Sequence, residues 1–583
     1  MLASSAIYCC ASAVADGQYD SRQLIPAYFE APWAVVGQNE GYLRLDKVVD
    51  GEEKLLRLHV RKEAPYNFYP QIFVPVPAAV QHGSRLRVHF KARSKDDLFV
   101  DCAFEQAHAP YDRCFTRTSV LTRDWQEFAG VFTASKDLPD GWGNFEIHVP
   151  RLTGEIEIAD LTFENWGQTR SSDLRDINQY NNPFAGKTLP ASWWEEADKR
   201  IDTLRKRDLI LQVLKMDGKP AAGVSVSVNQ VRQTFKFGTC VSPTYLFDSR
   251  TNGRKYRKSL LTLFNCVTPE NSLKWIAGLW EKPGTGEQVV DWCHTNQFAI
   301  RGHHLFCPDF SDVPEEVKSL RGNLLSTAIE NHVKQEVNQF DDKVYIWDVV
   351  NEGVTNHEIT DLLGQRILVD CYNWARQTNS TVQLSYNDYD ILNNLSGAND
   401  GRRAATHRLI QELIAQGAPI TVLGIQSHMH LPLPRGQEIW RILDEWAQFG
   451  QPLEITEYDL ACQDEQLQSD YLREFLTAVY SHPSTQAFVM WGFWDGSFFA
   501  KDVGYSLFTL KWRPRMAEAA YEDMVLKRWR TNETLTTDAE GKVKLRAFVG
   551  SLRVQATYKK QSASATVDLD ASSPSKTVSL TLN

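Results

Sequence analysis

Two glutamates, Glu352 and Glu457, each follow a short apolar run of a kind that forms buried strands. Cleavage of a glycosidic bond needs one carboxylic acid that protonates the leaving oxygen. It also needs a second, ionised carboxylate that attacks the anomeric carbon or activates a water molecule. A single site holds one carboxyl protonated and the other ionised by giving them different surroundings. The two glutamates therefore predict glycoside hydrolysis, provided that the fold brings them together.

The part of the chain that must position them reads as repeated strand, loop and helix. We count eight strand candidates in it, at 235–240, 262–267, 299–305, 344–349, 382–386, 421–425, 453–456 and 487–492. Amphipathic stretches separate several of these strands, which indicates parallel strands joined by helices. The pattern predicts a (β/α)8 TIM barrel, an α/β fold, over residues 192–529.

Polar side chains follow seven of these strand candidates. They are Glu270, Asn271 and Lys274; His303; Asn351 and Glu352; Asn387 and Asp388; Gln426 and His428; Glu457 and Asp459; and Trp491 and Asp495. Active sites of such barrels lie at the carboxyl ends of the strands. The recurrence of polar residues at that one end predicts the active site there.

The regions that flank the barrel are predicted to be all-β. Over 18–167, Leu86, Val88 and Phe90 alternate with polar residues, which is typical of a sandwich. The run DWQEF at 124–128, the pair VF at 131–132 and the closing strand at 156–166 resemble carbohydrate-binding modules, and a purely structural role is the alternative. Residues 168–191 read as a linker, and Ser192 with Glu195 predicts a capping box that begins a helix. Residues 530–583 return to alternation and are interpreted as a small C-terminal β appendage.

Composition restricts the partners and the location. The formal charge of −10 argues against a nucleic-acid partner, which requires a basic face. The cysteines show no spacing typical of a metal site and no phosphate-binding glycine loop occurs, so we expect neither metal nor cofactor. Residues 1–17 are interpreted as a possible signal segment, which predicts secretion, and no other stretch is long enough to span a membrane. We expect a monomer.

Six ordered motifs carry a family resemblance. They are FNCVTPENSLKW at 264–275, RGH at 301–303, WDVVNE at 347–352, YNDY at 386–389, QSH at 426–428 and ITEYD at 455–459. In kind and in order they resemble glycoside hydrolase family 10, the xylanase family, over roughly 205–530. The resemblance implies a retaining endo-1,4-β-xylanase that acts on xylan or xylo-oligosaccharides.

The resemblance also implies roles for individual residues. Glu352 would be the general acid/base and Glu457 the nucleophile, with the carboxyl groups roughly 5–5.5 Å apart. Asn351 would hold the sugar 2-hydroxyl. His428, oriented by Asp459, would hydrogen-bond Glu457.

Sugar-binding roles follow from the same motifs. The non-reducing side of the cleaved bond would be bound by Glu270, Asn271, Lys274 and His303. Gln426 and Trp491 would line the place where the bond breaks.

Two positions depart from the family pattern. Cys307 and Phe499 stand where tryptophans are expected to cover the sugar. Loss of such stacking removes on the order of 1 kcal/mol of binding. Two alternatives therefore stay open: a related β-glycan hydrolase with altered specificity, and a catalytically inactive glycan-binding protein.

Overall fold

The computed structural model describes most of the chain in two units, residues 1–185 and 186–583. The described residues are 22–62, 70–95, 98–108, 113–134, 136–149, 153–167, 189–276, 282, 284–392, 400–429, 433–460, 464–497 and 506–583. The predicted signal segment, residues 168–188 of the predicted linker, and Phe499 lie outside them.

The first unit is an antiparallel β-sandwich. Its strands are β1 (Arg22–Gln23), β2 (Ala34–Val36), β3 (Leu43–Asp50), β4 (Glu53–Val60), β5 (Gln71–Val76), β6 (Arg85–Ser94), β7 (Phe99–Gln106), β8 (Arg113–Val120), β9 (Gln126–Thr133), β10 (Gly143–His148) and β11 (Gly154–Asn165). One sheet has the order β3-β4-β11-β6-β9, with β1 paired to β11, and the other has the order β2-β5-β10-β7-β8. Alternate residues of β6 are buried in a core shared by both sheets, as the period of two requires.

The second unit begins with helix α1, two strands and the first elements of a barrel. In chain order these are α1 (Ala191–Arg205), β12 (Lys206–Leu214), β13 (Ser225–Gln233), β14 (Lys236–Val241), α2 (Pro243–Leu246), α3 (Thr251–Leu263), β15 (Cys266–Pro269), α4 (Thr285–Thr295), β16 (Ala299–Gly302), α5 (Glu315–Lys318), α6 (Gly322–Gln339) and β17 (Val344–Asn351). Short 3-10 turns occur at Phe310–Asp312 and Asp495–Ser497.

The remaining elements complete the barrel and add a C-terminal group of strands. They are α7 (Glu358–Leu363), α8 (Arg366–Thr378), β18 (Gln383–Asp388), α9 (Asp400–Ala415), β19 (Val422–Ile425), β20 (His428–Met429), α10 (Gly436–Ala447), β21 (Leu453–Leu460), α11 (Glu465–Tyr480), β22 (Thr485–Met490), α12 (Met516–Tyr521), a π-helical turn at Glu522–Arg528, and β23 (Asn532–Thr536), β24 (Lys542–Phe548), β25 (Gly550–Tyr558), β26 (Gln561–Leu569) and β27 (Ser575–Thr581).

The barrel is closed and parallel, and the predicted fold class is confirmed. Its strand order is β14-β15-β16-β17-β18-β19-β21-β22, and β22 pairs back to β14. Every residue of β21 is buried, as expected for a parallel strand covered on both faces. The helices pack outside; α10, for example, buries Ile439, Leu443 and Trp446 on one face. None of the described helices is both long and apolar enough to cross a bilayer.

The strands after the barrel are part of a second sandwich, to which the chain contributes from both sides of the barrel. One sheet has the order β24-β12-β27 and the other has the order β23-β13-β25-β26. Their apolar faces share one core, which includes Leu209, Val226, Leu552 and Leu580. The strands predicted as an appendage therefore pair directly with β12 and β13.

Candidate active site

The predicted site residues all lie at the carboxyl-terminal end of the barrel. Glu270, Asn271 and Lys274 follow β15, His303 follows β16, and Glu352 follows β17, whose last residue is Asn351. Gln426 and His428 come after β19, Glu457 and Asp459 belong to β21, and Trp491 follows β22. Parallel strands deliver their ends to one rim, so residues that are distant in sequence become neighbours.

Glu457 is buried among hydrogen-bond donors and positive charge. Only 4% of the residue is exposed. Asn387 Nδ2 donates to Oε1 at 2.7 Å, and His428 Nε2 lies 3.3 Å from Oε2. Burial alone would raise the pKa of Glu457, but the charges of His303 and His428 outweigh it and lower the pKa to about 2. Glu457 is therefore ionised near neutral pH, as a nucleophile must be.

His428 is held between two carboxylates. Its Nδ1 lies 2.8 Å from Asp459 Oδ2, and its Nε2 faces Glu457. Burial would lower the pKa of His428, yet the charges of Asp459 and Glu457 raise it well above the usual value. The raised pKa favours the protonated form of His428, whose Nε2 lies within hydrogen-bond distance of Glu457.

Glu352 has different surroundings. Among the described residues, its carboxylate accepts hydrogen bonds from neutral amides: Asn351 Nδ2 at 3.2 Å and Gln426 Nε2 at 3.0 Å on Oε1, and Asn356 Nδ2 at 3.2 Å on Oε2. Its backbone has φ = 56°, in the left-handed region that glutamate rarely adopts. The Glu352 N–H donates to the Asn387 carbonyl at 2.9 Å, which stabilises this orientation.

A chain of amides connects the two carboxylates. Asn387 Nδ2 donates both to Glu457 Oε1 and, at 2.9 Å, to Asn351 Oδ1. Asn351 in turn donates to Glu352. Thr456 Oγ1 donates to Asn387 Oδ1 at 2.7 Å, which fixes the orientation of that amide. The structure thus brings Glu352 and Glu457 together on one rim, as predicted.

An ionic layer lies beneath the site. Arg301 is fully buried and makes ion pairs with Asp348 and Glu454. His303 Nδ1 lies 3.0 Å from Asp348 Oδ2 and 4.0 Å from Glu457 Oε1. His303 is only 3% exposed, and these two contacts connect the ionic layer to Glu457. A buried ion pair with its hydrogen bonds satisfied is costly to disturb, which keeps the floor of the site rigid.

Trp491 and the residues after β15 form the rim. The half-buried Trp491 ring has its centroid 5.2 Å from that of His303 and 6.4 Å from that of His428, with both contacts edge-to-face. The residues after β15 lie near the same centre: besides burial, the charges of Glu270, Glu457 and Asp459 raise the pKa of Cys240. Lys274 partly offsets that increase. Glu270 and Lys274 therefore act on the same buried thiol as Glu457 and Asp459.

Cys307 is buried beside Glu352 and does not form an exposed stacking surface. It is 3% exposed, and its Sγ accepts a hydrogen bond from Asn356 Nδ2 at 3.1 Å. Within the described part of the chain, Cys307, His304 and Asp312 are close enough together to hold a metal ion. The sequence pattern did not suggest this group, because the residues have no familiar metal-site spacing.

Some residues of the network were not assigned a role from sequence. Asn387 stood among the polar residues at strand ends but received no function, and Asp348 and Thr456 lay unremarked inside motifs. Asn356 follows Glu352 closely in sequence, in the loop after β17. An amide near each glutamate was the available signal, but amides are too common in loops for that signal to be specific.

Comparison with known proteins identifies the barrel. The profile of Glycosyl hydrolase family 10 matches residues 227–523. The chain is 27% identical over 373 residues to "Anti-sigma-I factor RsgI6" of Acetivibrio thermocellus, covering 63% of this chain and 47% of that protein. It is 26% identical over 365 residues to "Endo-1,4-beta-xylanase 1" of Arabidopsis thaliana, covering 61% and 37%. The chain thus spans less than half the length of either relative.

The structure of xylanase 10B from Thermotoga petrophila in complex with xylobiose is 24% identical and covers 51% of this chain and 95% of that chain, with a TM-score of 0.44.

Proposed function

Because the chain belongs to glycosyl hydrolase family 10, we propose that it is a retaining endo-1,4-β-xylanase with Glu457 as nucleophile and Glu352 as acid/base. The proposal rests on the different surroundings of two carboxylates that a chain of hydrogen-bonded amides connects. Glu457 is bonded to a cation and ionised, whereas Glu352 is bonded to neutral amides. Double displacement requires an ionised nucleophile, which these surroundings of Glu457 provide, and a second carboxyl group on the same rim.

The proposed reaction has two steps. Glu457 attacks the anomeric carbon while Glu352 gives its proton to the leaving glycosidic oxygen, so the C–O bond breaks and a glycosyl–Glu457 ester forms. Glu352, now a carboxylate, removes a proton from water, and the resulting attack on the anomeric carbon releases Glu457. Asn351 would bond the sugar 2-hydroxyl, and His428, which lies beside Glu457, would stabilise the charge that returns to it.

Stereochemistry and one variant test this proposal. We expect release of reducing ends from xylan, with the β-anomer formed first in a proton NMR time course. Glu457→Ala should lower the rate by ~10⁴-fold or more because no covalent step remains. Glu412→Ala, which removes an exposed glutamate of α9, is the matched control and should retain full activity. Initial release of the α-anomer would exclude the retaining mechanism.

A glycan-binding function without catalysis is the second candidate. One relative is named an anti-sigma factor, and Cys307 replaces a sugar-stacking tryptophan expected from the family pattern. Xylan binding by the wild type with no release of reducing ends would favour this candidate. Initial rates on a panel of xylan, decorated xylan, mixed-linkage glucan and cellobiosides would separate a xylanase from a related β-glycan hydrolase.

We also propose that the N-terminal sandwich binds polymer. Its Trp142 is 43% exposed, and an exposed indole suits stacking on sugar rings. Deletion of residues 1–167 should lower activity on insoluble xylan and leave activity on soluble xylan unchanged. Trp142→Ala is the narrower test of the same idea. Equal activity of the full and shortened chains on insoluble xylan would refute it.

We propose that the protein is exported from the cell, because its proposed substrate is a polymer. Small residues from Ala11 to Ala15 resemble the end of a signal segment. We expect the activity in the culture medium, with a mature N-terminus just after this run. Protein that is found only inside the cell, with Met1 retained, would contradict export.

A further inference from the structure

The segment that follows β16 brings three potential metal ligands together beside the candidate active site. One ring nitrogen of His304, the Sγ of Cys307 and a carboxylate oxygen of Asp312 all lie within 4.8 Å of one another. His304 and Cys307 are buried, and the half-buried Asp312 ends the 3-10 turn Phe310–Asp312. Imidazole, thiolate and carboxylate are the ligands that zinc and neighbouring divalent transition metals use, at bond lengths of roughly 2.0–2.3 Å.

His304 supplies an independent observation. The residue is 2% exposed, and its buried Nδ1 finds no hydrogen-bond partner among the residues that the structure describes. A buried polar atom without a partner costs roughly 1–3 kcal/mol, so such atoms are rare in folded proteins. A ring nitrogen without a hydrogen-bond partner can serve as a ligand for a metal ion.

A thiol–carboxylate contact explains only part of this cluster. Cys307 hydrogen-bonds to Asp312 and accepts a bond from Asn356, so these two ligands have partners without an ion. That arrangement leaves the Nδ1 atom of His304 without a hydrogen-bond partner among the described residues. A metal ion would satisfy all three residues at once, because it replaces the thiol proton and bonds the free imidazole nitrogen.

We propose that His304, Cys307 and Asp312 form a three-ligand site for a divalent transition metal ion of the zinc class in the wall of the candidate active site. Three protein ligands leave one tetrahedral position for water or for a substrate group. The site differs from the glutamate pair and shares no residue with it.

The proposed metal site is connected to Glu352 through one side chain. Asn356 Nδ2 lies 3.1 Å from Cys307 Sγ and 3.2 Å from Glu352 Oε2. A metal-bound thiolate would attract this amide more strongly than a thiol does, and a shift of the amide toward the sulfur would weaken its second hydrogen bond, to Glu352. This effect on activity rests on the proposed function, whereas metal binding itself does not.

Metal binding is tested on the untagged full chain after removal of ions with a chelator. Isothermal titration with Zn²⁺ should give one ion per chain. Titration with Co²⁺ should produce a thiolate-to-cobalt charge-transfer absorption. Cys307→Ser should abolish that absorption and weaken Zn²⁺ binding by ~10-fold or more, and Asp312→Asn should weaken binding while keeping the absorption.

Cys293→Ser is the matched control, because Cys293 is a fully buried thiol on α4. It should bind both ions as the wild type does. Circular dichroism checks that each variant is folded. The proposal is overturned if the wild type shows no saturable Zn²⁺ binding, or if Cys307→Ser and Asp312→Asn both bind as tightly as the wild type.

The effect on Glu352 has its own readout. Zn²⁺ should change the xylanase rate of the wild type and of Cys293→Ser equally, and should leave the rate of Cys307→Ser unchanged. Saturable Zn²⁺ binding with no change in rate would refute the connection to Glu352 and leave the metal site standing. Failure of the proposed xylanase activity would leave the two titrations unaffected.

Discussion

The surroundings of Glu457 and of Glu352 differ although both residues lie on the same rim. Glu457 belongs to a strand, is almost fully buried, and faces a cation that is itself held by Asp459. Glu352 lies one residue past its strand, is half-buried, and is bonded to the amides of Asn351, Asn356 and Gln426. One carboxylate is held by charge and the other by neutral dipoles.

Under the proposed mechanism, this difference allows one residue type to perform two tasks. A cation favours the ionised form of a neighbouring carboxylate, which suits a nucleophile. Hydrogen bonds from neutral amides favour a carboxylate less strongly than hydrogen bonds from a cation do. The assignment of acid and nucleophile therefore rests on the neighbours of each glutamate and not on the glutamates themselves.

Removal of the Glu352 carboxyl should give the largest difference in rate loss between xylan and an activated aryl substrate. Glu352→Ala should lower xylan hydrolysis by ~10³-fold, because the leaving oxygen then departs without a proton. On an aryl xylobioside whose phenolate leaves unaided, formation of the glycosyl–enzyme should fall far less. Pre-steady-state bursts measure that step. Equal losses on the two substrates would mean that Glu352 is not the acid.

Removal of the cation beside the nucleophile should have the next largest effect. His428→Ala should lower kcat/KM by ~10²-fold, because the charge on Glu457 loses its partner. The pKa of Glu457, now about 2, should rise, so the acid limb of the pH–rate profile should move to higher pH. Asp459→Asn should move it in the same direction by less. An unmoved acid limb in His428→Ala would contradict this account.

A smaller effect is expected at Asn356. Asn356→Ala removes one hydrogen bond to Glu352 and should lower kcat on xylan by ~10-fold, the equivalent of about 1.4 kcal/mol. It should have little effect on the activated aryl substrate, because that reaction needs no proton from Glu352. Gln365→Ala, which removes an exposed amide, is the control and should change neither rate.

Asp388 should affect the stability of the protein and not its rate. Burial and the charge of Glu352 raise its pKa to about 7, although Arg402 opposes the increase. The unfolded value is about 3.9, so the folded protein binds the proton more tightly and loses stability as pH rises from about 4 to about 7. In urea unfolding, Asp388→Asn should therefore gain stability relative to the wild type across that interval, and a parallel pH dependence of the two proteins would be the contrary result.

The barrel could be predicted from sequence because each strand is a short apolar run followed by polar residues. All eight strand candidates overlap observed barrel strands, but their ends differ. The candidate at 262–267 began inside α3, which ends at Leu263, and β21 continues to Leu460 although its prediction stopped at 456. Both faces of this parallel strand are buried, so even Glu457 and Asp459 face the protein. These polar residues therefore suggested the end of the strand at a point where the strand continues.

The start of α1 shows a different limit. Ser192 and Glu195 predicted a capping box, but the helix begins at Ala191 with Pro190 in the N-cap position and no side-chain capping bond. Proline has its φ already fixed near the helical value, so it can begin a helix without that bond. The amide chain from Glu457 to Glu352 was also beyond sequence analysis, because its members come from different strands and meet only when the barrel closes.

The second sandwich has a consequence for where this chain can be cut. Strands β12 and β13 precede the barrel and their partners β24, β25 and β27 follow it. The sandwich therefore pairs the segment before the barrel with the segment after it. A chain that stops at residue 529 would leave Leu209, Leu211 and Val226 facing water, at roughly 1.5–3 kcal/mol for each side chain. The smallest independently folding unit that contains the barrel therefore extends beyond the family match on both sides, from α1 to β27.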